Sequence, residues 1–230
     1  MKITFLLILT INVCSSFIVQ KIYSPGLFNH VIKNLNPRNL TITEVQQEEF
    51  NDGDLIFQTS KSPQSNAIQL ATKSKYSHCG IIYKIDGNFI VFEASSKVKK
   101  TPIKEWIKSG KDKNYVVKRL KNASEILTSA TLEKMKLIGN KFNGKNYDST
   151  FEWTDEKIYC SELIWKIYYQ ATGIQIGKLK KLKDFDLTSL IVKQIMANKY
   201  GVKIPFNNTV ISPDDIFKSE LLFRHFINHF

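Results

Sequence analysis

Arginine is almost missing from this chain. Of its 33 Lys and Arg residues only Arg38, Arg119 and Arg224 are arginines, although the formal net charge is +12. Nucleic-acid sites draw heavily on the planar guanidinium for paired contacts to phosphates and base edges. A basic chain without it reads as a lysine-rich solvated surface, with anionic envelope polymers or lipids as its charge partners and no nucleic acid. Cysteine is scarce too, at Cys14, Cys79 and Cys160. That excludes the disulfide framework of a small secreted domain, though Cys79 and Cys160 could still pair with each other. There is no CxxC or HExxH pattern, and His30, His78, His225 and His229 lack zinc-site spacing, so neither metal nor cofactor is expected. With 10 Gly and 6 Pro in 230 residues, and no repeat, low-complexity and solenoid architectures are excluded. One ordinary folded domain remains.

A long hydrophobic run is also lacking. The apolar stretch from Ile3 to Val13 behind Met1 and Lys2 falls short of the roughly 20 residues that span a bilayer, but matches a signal-peptide core. Residues 1–16 are therefore expected to be a signal peptide cut near Ser15 and Ser16, which makes the mature protein exported, periplasmic or secreted. The weaker alternatives are lipid attachment at Cys14, disfavoured because bulky Val13 precedes it, and an uncleaved membrane anchor. Residues 17–41, broken by Pro25 and Pro37, read as a spacer, and 42–230 as the domain.

Within the domain, Thr43–Phe50 reads as a short helix, Leu55–Phe57 as a strand and Gln64–Lys73 as a helix. Asp86-Gly87 stands between the runs His78–Ile85 and Asn88–Ala94, the strongest short-range hairpin signal. Thr101-Pro102 reads as a cap and first-turn proline before a helix through Trp106. Tyr115–Leu120 reads as a strand, Ser124–Gly139 as one helix and Lys141–Lys157 as irregular. A second long helix then ends near Gly173, followed by helices over Leu187–Asn198 and from Ser212-Pro213, and an aromatic tail. The class is α+β, a small antiparallel sheet with helices packed on it.

The chemistry concentrates in three residues. A thiol attacks as thiolate, and a helix start or an imidazolium favours that form. Cys160 falls in the first turn of its helix, on the apolar stripe of Leu163, Ile164, Ile167 and Tyr168. If Asp86-Gly87 is a two-residue loop, Ile85 faces Asn88 and Glu93 faces Gly80, so His78 is a diagonal neighbour of Glu93 on one sheet face. A three-residue loop would put the two on opposite faces. Cys79 points away from His78, as a core residue, and Asp54 reads as a turn residue opening a buried strand. A nucleophile, a base and an orienting carboxylate result.

Gly53-Asp54-Leu55-Ile56-Phe57, Ser77-His78-Cys79-Gly80-Ile81, Phe92-Glu93-Ala94, Tyr147-Asp148 and Tyr159-Cys160-Ser161-Glu162-Leu163-Ile164 occur in this order. Together they resemble the permuted papain-like amidases of the YiiX/YaeF type, relatives of the NlpC cell-wall peptidases. The histidine strand precedes the cysteine helix, the reverse of ordinary papain order, and the likeness extends from Asn51 to Phe217. The resemblance implies a circularly permuted papain-like fold with Cys160 as nucleophile, His78 as base and Glu93 as orienting acid. Tyr159 or Tyr147 would line the site or bind the oxyanion. The implied activity is that of a cysteine hydrolase cleaving a cell-wall peptide or isopeptide bond, or an acyl ester or amide of a lipid; peripheral envelope association is an expectation from the lysine-rich charge alone. The alternative is a non-catalytic envelope-binding module that keeps the shape.

Overall fold

The computed structural model describes residues 50–228. The segments expected to be a signal peptide (1–16), a spacer (17–41) and a short helix (Thr43–Phe50, apart from Phe50 itself) lie outside the described residues. Strand β1 is Leu55–Gln58, helix α1 is Ser65–Thr72, and the hairpin is β2, His78–Ile85, with β3, Asn88–Ala94. Then come β4, Val98–Pro102, α2, Ile103–Ser109, and β5, Tyr115–Leu120. The longer helices are α4, Ser129–Phe142, after a single turn α3, Ala123–Ile126, and α5, Cys160–Thr172. The two-residue strands β6, Lys180–Lys181, and β7, Thr209–Val210, flank α6, Leu190–Tyr200. Helix α7, Pro213–Phe217, and strand β8, Leu222–Asn228, complete the described chain.

Six strands form one antiparallel sheet in the order β4-β3-β2-β1-β5-β8. Alternation along the strands gives each face its own core. Leu55, Phe57, Cys79, Ile81 and Phe92 pack with Met135 of α4 and with Leu163, Ile164 and Ile167 of α5. Ile56, Ile82, Val91 and Val117 pack with Phe50 and with Ile103 and Trp106 of α2. The sheet is thus covered on both sides, as the α+β reading requires.

The hairpin register follows from its turn. Asp86 and Gly87 both take positive φ, 48° and 78°, the pairing a two-residue type I′ loop demands. Ile85 accordingly pairs with Asn88 and Ile81 with Phe92. Asp54 sits at a turn, as its sequence context indicates, and does more: its carboxylate accepts from Asn51 N–H at 2.8 Å and from Arg119 Nε and Nη2 at 2.7 and 2.8 Å. The pair is buried on the Asp54 side, so removing one partner strands a charge. Asp54→Ala is expected to lower unfolding free energy by about 3–5 kcal/mol, read by urea denaturation.

Three local readings need correction. Thr101 does not cap a helix: Pro102 holds the N-cap position, and the Thr101 hydroxyl is spent on Glu93. The helix expected over Ser124–Gly139 is broken after Ile126, because the Thr128 side chain accepts from Thr131 N–H and starts a new helix. The aromatic tail is a strand, β8, paired along β5.

Candidate active site

The candidate base and its candidate orienting acid come from neighbouring strands. His78 opens β2 and Glu93 lies near the end of β3, on the same sheet face, and His78 Nε2 meets Glu93 Oε2 at 2.5 Å. Two further donors fix the carboxylate: Thr101 Oγ1 to Glu93 Oε1 at 2.6 Å and Trp106 Nε1 to Glu93 Oε2 at 3.1 Å. The Trp106 indole also stacks on the His78 ring, centroids 5.7 Å apart and planes 24° off parallel. Strand pairing brings the groups together, and the far side of the sheet holds them.

The sulfur comes from the opposite face. Cys160 is the first residue of α5, whose start is secured by the Glu162 carboxylate accepting from Tyr159 N–H at 3.4 Å. The Tyr168 hydroxyl of the same helix donates to Gly53 O, tying α5 to the turn before β1. Because His78 is the end residue of its strand, its ring lies close enough to the helix tip to interact electrostatically with Cys160. With Nε2 engaged by Glu93, Nδ1 is the nitrogen left for the sulfur. Cys160 and His78 are both buried, at 3% and 8% exposed.

The electrostatics favour an ion pair. A hydrogen bond from the Cys79 thiol holds Cys160 well below the usual thiol range against the opposing effect of burial, helped by His78 and by the Cys79 backbone N–H. Burial alone would depress the His78 imidazole; hydrogen bonds and charge from Cys160 and Glu93 overcome it and raise the pKa to about 10. For Glu93, burial pulls upward but His78 and Thr101 prevail, and the carboxyl stays below its usual value. Thiolate, imidazolium and carboxylate therefore coexist around neutrality. Replacing Glu93 by Gln removes one charge that supports the imidazolium. The alkaline limb of the pH–rate profile, set by His78 near pH 10, is expected to move to lower pH in Glu93→Gln.

Cys79 is the residue that sequence reasoning undervalued. It points away from His78 and is fully buried, as expected of core, yet its thiol and backbone N–H both act to lower the pKa of Cys160. Burial, then the neighbouring thiolate, raise the Cys79 pKa, so it remains the protonated donor of the two. Both cysteines are free. The two tyrosines part company. The Tyr159 hydroxyl accepts from Ile211 N–H at 3.2 Å and its ring packs edge-on against Phe151. Half-buried Tyr147 borders both the cavity beside Cys160 and the groove beside His78. Its phenol is pushed up by burial and then by the charge on Cys160.

This is the arrangement of a papain-like thiol site, with the helix and the histidine strand in reversed chain order. Residues 49–222 match the family model described as "Permuted papain-like amidase enzyme, YaeF/YiiX, C92 family", and the chain belongs to that family. Among relatives, it is 42% identical over 170 residues to the "Uncharacterized protein YiiX" of Escherichia coli strain K12, covering 74% of this chain and 83% of that one. It is also similar to the crystal structure of "metalloprotein yiiX" from Escherichia coli O157:H7. There the TM-score is 0.75 and the identity 40%, over 78% of this chain and 98% of the other.

Proposed function

We propose that the chain is a cysteine hydrolase of amide or acyl-ester bonds, acting outside the cytoplasm. What supports this is the grouping of buried Cys160 at the start of α5 with His78 and its hydrogen-bonded partner Glu93, in surroundings that hold the thiol well below its usual range. The thiolate attacks the substrate carbonyl carbon, and the tetrahedral oxyanion forms at the start of α5, where the Cys160 backbone N–H and the helix dipole favour negative charge. His78, protonated, gives its proton to the departing amine or alcohol as the C–N or C–O bond breaks, leaving a thioester on Cys160. Water, deprotonated by His78, then attacks the thioester, releasing the acid and regenerating the Cys160 thiolate beside a protonated His78. Glu93 keeps the ring in the required orientation and supports its charge. Tyr147, next to the sulfur, is a candidate second donor to the oxyanion.

The relative described as a metalloprotein raises the question of a metal here. Among the described residues no group of three or more His, Cys, Asp or Glu side chains is placed to hold a metal ion. The donor set does not fit a metal, and no step is routed through one. Export rests on the apolar run Ile3–Val13 and small Ser15 and Ser16. No helix among the described residues is long and apolar enough to cross a membrane. A basic lysine-rich surface suits peripheral contact with an anionic envelope.

Mass spectrometry of the protein incubated with an activated acyl ester tests the chemistry. An acyl adduct on Cys160 that hydroxylamine discharges is expected. Equal turnover by wild type and Cys160→Ala, or no adduct at all, would refute it.

A further inference from the structure

A buried carboxylate directly follows the tyrosine that borders both recesses of the site, and the reaction as written does not use it. Asp148 is 1% exposed. A buried charge is costly unless it is hydrogen-bonded, and this one takes three neutral donors from the four residues that follow it. They are Thr150 N–H at 2.8 Å, Thr150 Oγ1 at 2.8 Å and Glu152 N–H at 2.5 Å. These bonds close a turn over 148–152. Inside it Phe151 stands at φ 52°, a left-handed conformation that a bulky residue keeps only where its surroundings impose it. The Phe151 ring meets Tyr159 edge-on, centroids 5.2 Å apart. The carboxylate is therefore committed to a strained turn that packs against the residue before Cys160.

The same turn is gripped from outside and tied at its base. Ser149 O and Thr150 O accept from Lys199 Nζ and Tyr200 Oη of α6, both at 2.5 Å. Tyr147 and Ile158 form a parallel bridge, in which Asp148 N–H donates to Ile158 O and Ile158 N–H to Asn146 O, each at 3.2 Å. Tyr147 N–H donates to Ser96 O at 3.0 Å, in the link between β3 and β4. Ile158 is two residues before Cys160, so the loop from 146 to 158 fixes Tyr147 against the segment that carries the sulfur.

From this we infer that Asp148 is a positioning residue: by holding the 148–152 turn it sets the Tyr147 hydroxyl where it donates to the oxyanion formed by attack of Cys160. The inference rests on the thiol hydrolase reading with Tyr147 as second oxyanion donor. A transition-state donor works only when its place is fixed before the charge develops, and small misplacements are costly. A carboxylate that served the fold alone would lower stability and leave the tyrosine's contribution untouched. A positioning carboxylate lowers turnover only while there is a hydroxyl to position.

The test is a double-mutant cycle, read in kcat and KM of the full chain on p-nitrophenyl acetate. Tyr147→Phe is expected to lower kcat by about a hundredfold, the scale of one lost oxyanion donor. Asp148→Asn offers one acceptor oxygen where the carboxylate has two. It is expected to lower kcat about tenfold with KM changed less than about twofold, and to cost less than about twofold once Tyr147 is Phe. Thr150→Val, which keeps the backbone bond and removes the hydroxyl donor, is the milder variant, with about a threefold loss that also vanishes in Tyr147→Phe. Thermal melting shows that each variant is folded at the assay temperature. Equal losses with and without the Tyr147 hydroxyl, or no loss of kcat in either turn variant, would overturn the positioning role. Tyr147→Phe as fast as the wild type would overturn it too, while a mass adduct on Cys160 would leave the thiol hydrolase standing. No acylation of Cys160 would remove both.

Discussion

Cys160→Ala is expected to melt within a few degrees of the wild type and to lose roughly 10⁴-fold or more of kcat/KM on an activated acyl ester. The stability half follows from size and setting. Ala keeps the apolar contacts at the start of α5, and it removes a buried charge whose desolvation works against the folded state. The activity half follows from chemistry, since no other described thiol can take over. Cys79 is buried and held as the protonated donor. It lies on the sheet face away from His78, with no base of its own. A variant that keeps more than about a hundredth of wild-type turnover would place the nucleophile elsewhere.

The second large effect is that of the ring. His78→Ala is expected to abolish turnover to a similar degree and to slow alkylation of Cys160 by iodoacetamide near pH 6. A thiol of ordinary pKa is only about 0.3% ionised at that pH, whereas one held well below its usual range is largely thiolate. The intrinsic nucleophilicity lost with a lower pKa offsets part of that advantage. Cys79 continues to donate in the variant, so the net slowing expected is about ten- to a hundredfold. A binding module that merely keeps the papain-like shape predicts slow alkylation in both proteins, with no dependence on His78. Rates at several pH values distinguish the two, because only an imidazolium-paired thiol stays reactive as the pH falls.

Much of this was written in local sequence, and the rest was not for identifiable reasons. Asp86-Gly87 determined the loop length, the loop length determined the register, and the register put His78 and Glu93 on one face. Helix α5 announced itself by its apolar stripe and so gave Cys160 its position at the tip. What local pattern cannot carry is pairing across the chain. Strand β8 is an edge strand, only partly buried, that finds β5 about a hundred residues earlier, and nothing in its own residues names that partner. The donors to Glu93 from Thr101 and Trp106 were hidden for a related reason. Both lie in a segment where a cap-and-proline signal competed with strand β4, and pairing with β3 won. Cys79 was read correctly as core, but alternation says only which way a side chain points. Whether another helix brings a sulfur to meet it is a matter of tertiary packing. The cavity beside Cys160 depends in the same way on α6 docking against α1.

The proposed mechanism requires a thiolate held inside the fold by Cys79 and by a protonated His78. The ultraviolet thiolate absorbance of the wild type, followed against pH with Cys160→Ala as the blank, measures this directly. A thiolate signal already present well below pH 7, diminished in His78→Ala, is the predicted result. A signal that rises only with a midpoint near 8.5, the ordinary thiol value, and is indifferent to His78 would contradict it.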